Sequence, residues 1–222
     1  MNDYRFAEIV TCGARNRGKI YPVENILTLD YYGKKPVTDA YSSIYLHTQD
    51  YATFDDGNGG KRGYNGPVKA EFLHFDFDSP HDDLALREVR AFTENLCGQD
   101  KYGLCIDDFR FWFSGNKGFH VYINTEEIRQ MPPAVDVPDK IKSLCIFLAG
   151  KFSTFDKSVY DRTRIFRIPN SRHGKTGLFK IPVLAGELWE NITLEEIKSL
   201  ATQPRSFKIA VAQWLKQKRK VA

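Results

Sequence analysis

The sequence predicts an α+β fold, a mixed α/β chain, and three observations carry the prediction. Apolar and polar residues alternate in FLHFDFDS (72–79), FRFWFSG (109–115) and FHVYIN (119–124), the two-residue period of strands. Apolar residues recur at helical spacing over 86–96, 141–148 and 207–215. These segments alternate along the chain without the glycine-rich fingerprint of a dinucleotide domain. At 222 residues, with 42% hydrophobic and 27% charged residues, the chain can bury a substantial core as one large domain or a tightly joined pair.

SSIYLHTQDY (42–51) reads as a strand, and DDGNGGKRGYNGPVK (55–69) as a loop whose glycines leave the backbone free. In FLHFDFDS, Leu73, Phe75 and Phe77 share one face, and Phe72, His74, Asp76 and Asp78 share the other. Ser79 fits an N-cap, with Pro80 at the first helical position and Asp82 and Asp83 in the first turn. Leu86, Val89, Phe92 and Leu96 then recur until Gly98, so a first helix is expected over roughly 80–97. Phe109, Phe111 and Phe113 oppose Arg110, Trp112 and Ser114, and Phe119, Val121 and Ile123 oppose His120, Tyr122 and Asn124. The GNKG between them marks a hairpin over 109–124. Ile141, Leu144, Cys145 and Leu148 stripe a second helix from about 138 to 150. RIFRIP and GLFKIPV read as a further pair of strands around NSRHGKT. Thr193 and Glu196 form a capping box, and Phe207, Ala210, Val211, Trp214 and Leu215 face one side of a last helix.

The formal charge of +4 permits a nucleic-acid partner without arguing for one. Basic residues gather at Arg15–Lys19, at Lys61 and Arg62, from Arg162 to Lys180, and from Lys216 to Lys220. Cys12, Cys97, Cys105 and Cys145 lie far apart without a CxxC pair, so reduced thiols are expected, three of them packed inside, and no zinc. The N-terminus lacks an apolar signal core and no run reaches membrane-spanning length, so a cytosolic protein off the membrane is expected. The basic ending KQKRKVA carries no stop-like cap, which fits a domain cut from a longer chain.

Three segments carry candidate chemistry. Asp76 and Asp78 put two carboxylates side by side; two oxygens on one strand face suit Mg²⁺ or Mn²⁺ when phosphates complete the shell, and equally suit acids facing water at a bend. SGNKGFH sets Ser114, Lys117, Gly118 and His120 around a turn where small residues let backbone N–H groups approach a phosphate; the alternative is a plain surface turn. FDKSVYDRTRIFRIPNSRHGKTG (155–177) offers Asp156 and Asp161 among Arg162, Arg164, Arg167, Arg172, His173 and Lys175, either a solvated basic hairpin or a triphosphate pocket that can also grip a nucleic-acid backbone.

Taken together and in this order, HFDFD, SGNKGFHVYI and RIFRIPNSRHGKTGLFKIPV resemble the three catalytic motifs of the archaeo-eukaryotic primase superfamily, over roughly residues 70 to 183. The resemblance implies a single primase-polymerase catalytic domain over 1–222, in which a small α/β unit packs beside an RRM-like unit with the metal site between them. The division expected is about 1–108, carrying the DxD strand, and 109–185, followed by a helical extension over 186–222. It implies two Mg²⁺ or Mn²⁺ ions on Asp76, Asp78 and a third aspartate, for which Asp156 fits better than Asp161. Nucleotide binding falls to Ser114, Lys117, Gly118, His120, Arg164, Arg167, Ser171 and His173. Nucleic-acid binding falls to Lys61, Arg62, Arg167, Arg172 and Lys175. The activity implied is template-directed addition of dNTP or NTP to a 3′-hydroxyl on single-stranded or primer-template DNA, with release of pyrophosphate and with de novo priming left open. A monomer is expected, with a helicase, an accessory domain or a defence-system protein as further partner.

The cysteine-histidine zinc knuckle and the long helical insertion of cellular primase small subunits have no counterpart here, which brings the chain nearer the compact enzymes of plasmids, phages and bacterial defence loci. Two other classes compete. A metal-dependent nuclease could use the same carboxylates, and a non-catalytic single-strand binding module could stack bases on Trp112 and Tyr122. Tyr64 is a guess at a gate for the sugar 2′ position.

Overall fold

Two antiparallel sheets arise from the alternating segments, in a computed structural model that describes residues 4–11, 17–22, 37–58, 60–61, 63–81 and 83–211. In chain order these residues form β1 (Phe6–Val10), β2 (Ile20–Pro22), β3 (Tyr41–Ser43), α1 (Gln49–Thr53), β4 (Phe72–Asp78), α2 (Leu84–Cys97), β5 (Phe109–Phe113) and β6 (Gly118–Asn124). They continue with α3 (Thr125–Ile128), α4 (Val137–Ala149), β7 (Ile165–Arg167), β8 (Ile181–Val183), α5 (Ala185–Trp189) and α6 (Leu194–Leu200). One sheet has the order β2-β1-β3-β7 and the other β4-β6-β5-β8.

The second sheet positions the site. β4 pairs with β6 from Phe72↔Asn124 to Asp78↔Gly118, and β5 pairs with β6 from Phe109↔Ile123 to Phe113↔Phe119. Leu73, Phe75, Phe77, Phe111, Phe113, Phe119, Val121 and Ile123 are sealed on one face by α2 and α4. Phe92 of α2 lies 4.7 Å from Phe75 and 5.3 Å from Phe77, ring to ring. A buried phenylalanine of this kind contributes about 3–5 kcal/mol against alanine. The other face is also covered. Phe166 of β7 lies 4.5 Å from His120, tilted, and 5.5 Å from His74, edge-on, so the two sheets meet across the strand face that carries the polar residues. After α4 the chain returns beside the free edge of β4: Asp78 N donates to Thr154 O at 2.8 Å, and Asp156 N donates to Asp76 O at 2.8 Å. A single antiparallel bridge, Phe77↔Phe155, marks this return.

Several expectations need correction. The run 42–51 is strand only at its start; Leu46 and His47 make single bridges, and Gln49–Thr53 is helical. The first helix begins at Leu84, not near 80, with Asp83 ahead of it at φ 57° and no side-chain cap bond. The Ser79 hydroxyl instead accepts from His81 N, closing a turn, and an aspartate tolerates the left-handed conformation better than most side chains. RIFRIP and GLFKIPV do not pair as two strands of one sheet, because β7 joins β3 while β8 joins β5. A division near residue 108 would cut β4 away from β6, its hydrogen-bonded neighbour in the same sheet, and β7 crosses back to the N-terminal strands. Of the three described cysteines, Cys145 is buried, Cys97 half-buried and Cys105 exposed, and all three are free thiols.

The second helix, the hairpin and the capping box form as the patterns require: Thr193 Oγ1 accepts from Glu196 N, and Glu196 Oε2 accepts from Thr193 N. A buried ion pair between Arg205 and Glu187 ties the C-terminal part to β8 through Pro182 O. Residues 207–211 are helical, with Phe207 edge-on to Trp112 at 5.0 Å. Trp214, Leu215, the basic tail, Arg62, Asp82 and Cys12 lie outside the described residues. No helix of the described residues is long and apolar enough to cross a membrane.

Candidate functional site

β4 ends with Asp76 and Asp78 on the face opposite the phenylalanine core, and the backbone bonds between 154–156 and β4 set Asp156 beside them. Burial, then the neighbouring charges of Asp78 and Asp156, push the Asp76 carboxyl up to about 7. Two side chains stand at the acid oxygens. Lys117 Nζ is 3.1 Å from Asp78 Oδ2, and His120 Nε2 is 3.7 Å from Asp76 Oδ1. Burial first, then Lys180, His74 and Arg167, hold His120 well below the usual imidazole range, so it stands there uncharged. Among the described residues, the three carboxylates therefore share one exposed, lysine-borne positive charge at contact distance.

The β5–β6 turn is shaped for close approach. Gly118 faces Asp78 across the ladder, and a Cβ there would fall 2.5 Å from Phe77 O and 2.9 Å from Asp78 Oδ1. Gly115 adopts φ +87°, open to glycine at little cost. The Ser114 hydroxyl accepts from Asn116 N and Gly118 N, which polarises it as a donor. Thr176 Oγ1 donates to Gly115 O at 2.5 Å, fastening this turn to the NSRHGKT turn.

β7 and that second turn form the facing wall. Arg167 is nearly buried and donates to Asp39 Oδ1 (2.8 Å), Tyr41 Oη (3.0 Å) and Arg172 O (3.1 Å). Arg164 Nη2 donates to Ser158 O and pairs with Asp161, each at 2.8 Å. His173 Nδ1 accepts from Lys175 N and Thr176 N, which places the ring proton on Nε2. Burial, with Arg167 next, lowers the pKa of His173 and favours the neutral ring.

These pieces enclose an open cleft of about 260 Å³. Asp76, Asp78, Asp156, Ser114, Asn116 and His120 line one side, and Tyr41, Arg164, Arg167 and His173 line the other. A second groove, about 630 Å³, shares Asp156 with the cleft and is lined by Lys142, Lys151 and Lys157. Among the described residues no group of three or more His, Cys, Asp and Glu side chains is gathered tightly enough to hold a metal ion as it stands. The three carboxylates facing the cleft nevertheless offer oxygen donors, the chemistry that suits a hard cation whose remaining ligands come from phosphate and water.

Other predicted residues lie elsewhere. Asp161 is half exposed and occupied by Arg164 and the Thr163 turn. Ser171 is buried, its hydroxyl donating to Val37 O and accepting from Ala40 N, so it is absorbed in joining 37–40 to 171 rather than offered to a nucleotide. Lys61 is also buried, its ammonium donating to Ala52 O and Phe54 O, which removes it from any nucleic-acid surface. Tyr64 packs among His47, Tyr51 and Phe54, away from the cleft lining. Arg172 and Lys175 are exposed but do not line the cleft. Trp112 is buried, and Tyr122 is packed against Phe72, His74 and Phe166, so neither presents a face to a base.

Sequence reasoning missed Asp39, Tyr41, Asn116 and Lys180. Asp39 and Tyr41 come from a segment with no motif. Lys180 carried a signal: it is a lone cation in the apolar run LFKIPV.

No protein-family model matches this chain, and no curated protein does. Among solved structures, the chain is similar to the AEP domain of the cyanophage S-2L primase-polymerase, with a TM-score of 0.46 and 15% identity, covering 85% of this chain and 89% of that one. It is similar also to the polymerase domain of Mycobacterium tuberculosis Ligase D, solved in complex with DNA, with a TM-score of 0.46 and 16% identity, covering 86% and 69% of the two chains. Scores below one half leave the functional reading to the residues of the cleft.

Proposed function

We propose that the cleft performs metal-dependent, template-directed nucleotidyl transfer of the archaeo-eukaryotic primase kind, joining a nucleoside triphosphate to a 3′-hydroxyl with release of pyrophosphate. The observation that carries this reading is the convergence, in one cleft, of Asp76, Asp78 and Asp156 with Ser114, His120, Arg164, Arg167 and His173. The single bridge of 154–156 beside β4 also supports the RRM-like unit, since the order β4-α2-β5-β6-α3-α4, in which α3 is a single turn, is followed by this short return to the β4 edge.

Asp76, Asp78 and Asp156 would hold the ions, which when bound acidify the 3′-hydroxyl and offset charge on the departing pyrophosphate. The chain's own residues do the rest. The polarised Ser114 hydroxyl and the Nε2–H of His173 donate to phosphate oxygens, and Arg164 and Lys117 supply positive charge around them. Arg167, already fixed by Asp39 and Tyr41, holds the facing wall in place. Carboxylates alone would serve a nuclease equally, but the donors on the opposite side of the cleft match a triphosphate. The binding-module reading loses its stacking residues, because Trp112 is buried and the half-buried Tyr122 is packed against Phe72, His74 and Phe166.

The test is extension of a labelled primer with one nucleotide at a time, on templates differing at a single base, with Mn²⁺ or Mg²⁺ supplied. Incorporation that follows the template and stops in chelator is expected; shortening of the strand would favour the nuclease. The Lys142–Lys151–Lys157 groove adjoins the cleft at Asp156 and offers a path for the strand that presents the 3′-hydroxyl. Changing these three lysines to glutamine is expected to weaken primer-template binding and flatten its salt dependence by up to about three ion equivalents, while nucleotide KM stays near the wild-type value. An unchanged salt slope would remove the groove from the strand path.

A further inference from the structure

Lys180 is wholly buried, and its ammonium nitrogen has three partners: His120 Nδ1 at 2.8 Å, Tyr122 Oη at 2.7 Å and Arg167 O at 2.8 Å. The rings of Trp112, Tyr122 and Phe166 surround it at 5.7, 5.1 and 6.0 Å. We propose that Lys180 is a positioning residue that fixes the tautomer of His120, keeping the ring proton on Nε2 so that an uncharged N–H points into the cleft toward a phosphoryl oxygen.

The hydrogen bonds of Lys180 carry the assignment. Arg167 O only accepts, so Lys180 must donate there. As an ammonium, Lys180 donates to all three partners, and His120 Nδ1 is an acceptor. As a neutral amine it has two N–H groups and one lone pair, and two patterns satisfy it: Tyr122 donating to the lone pair with an N–H to His120 Nδ1, or His120 Nδ1–H donating to the lone pair with an N–H to Tyr122 Oη. On the far side, Nε2 stands 3.7 Å from Asp76 Oδ1, too far for a direct hydrogen bond, so that side leaves the choice to Lys180. The ammonium form of Lys180 thus leaves the proton on Nε2. Without Lys180, Nδ1 faces only the Tyr122 hydroxyl at 3.5 Å, a weak contact that does not choose between tautomers. The wrong tautomer would aim a lone pair at an anion. Losing one hydrogen bond to a charged group corresponds to about 10- to 100-fold in rate.

The identity of the anion rests on the proposed function, but the tautomer does not, and the experiment separates them. Imidazole ¹⁵N spectra of the full chain, with the His120 signal assigned by its loss in His120→Gln, are expected to show Nε2 protonated and Nδ1 bare. Lys180→Met is expected to shift His120 to a mixture of tautomers and to lower kcat/KM for nucleotide about 10-fold or more, with nucleic-acid affinity retained. A wild-type spectrum with the proton on Nδ1 would overturn the proposal, and it decides the matter even if Lys180→Met fails to fold. A folded Lys180→Met chain that keeps the Nε2–H tautomer would overturn it too. A wild type that shows the expected tautomer, lost in Lys180→Met, yet synthesises nothing would support the tautomer assignment and overturn the proposed function instead.

Discussion

An Asp76→Ala/Asp78→Ala variant is expected to lose synthesis by about a thousandfold or more, yet to melt above the wild type in metal chelator at neutral pH. The second half follows from the Asp76 carboxyl, raised to about 7 from an ordinary 3.8 by burial and by Asp78 and Asp156. Between those two values the folded chain binds a proton that the unfolded chain has released. Stability therefore falls as pH rises from about 4 to about 7, and the loss persists above. A shift of this size corresponds to at most about 4 kcal/mol. Losing the Lys117–Asp78 pair offsets little of this gain, because both side chains are 44% exposed and such pairs contribute about 0–1 kcal/mol. The difference in melting temperature should be largest near pH 7–8 and vanish near pH 4, measured in chelator across that range. Wild-type extension rates in the double variant would contradict the reading of the site, and a pH-independent difference would contradict the origin assigned to it.

Asp156→Asn is expected to reduce the single-turnover extension rate about a thousandfold, and Asp161→Asn by less than about tenfold. Asparagine keeps the Asp156 N–H bond to Asp76 O, so the backbone should hold its place while the cleft loses one of three anionic donors. Asp161 is 52% exposed and touches the cleft only through Arg164 at 2.8 Å, which retains its bond to Ser158 O. Comparing the two rates at saturating nucleotide and metal checks the order. A reversed order would place the third carboxylate in the wrong turn.

The aromatic strands were legible because their period is local: Phe75, Phe77, Phe111 and Phe113 alternate, and the buried face follows. The hairpin was legible for the same reason, with Gly115 and Gly118 marking where backbone must pass close. What sequence did not show is what covers the second face. His74, His120 and Tyr122 look like a solvent-facing polar row until Phe166 arrives from the other sheet and Lys180 is buried beneath it. Lys61 and Ser171 were misread because a polar side chain's direction is set by tertiary partners, here the carbonyls of Ala52, Phe54 and Val37. The Ser79-Pro80 start failed because the chain first turns away from β4, and Asp83 takes a left-handed conformation that no local pattern announces.

The claim beneath all of this is that three carboxylates with too little positive charge between them form a metal site completed by substrate. Electron paramagnetic resonance of Mn²⁺, titrated into the protein with primer-template and a non-hydrolysable nucleoside triphosphate, tests it most directly. The account predicts two bound ions per wild-type chain, and none held at this site in Asp76→Ala/Asp78→Ala. Equal Mn²⁺ binding by the two proteins would contradict it.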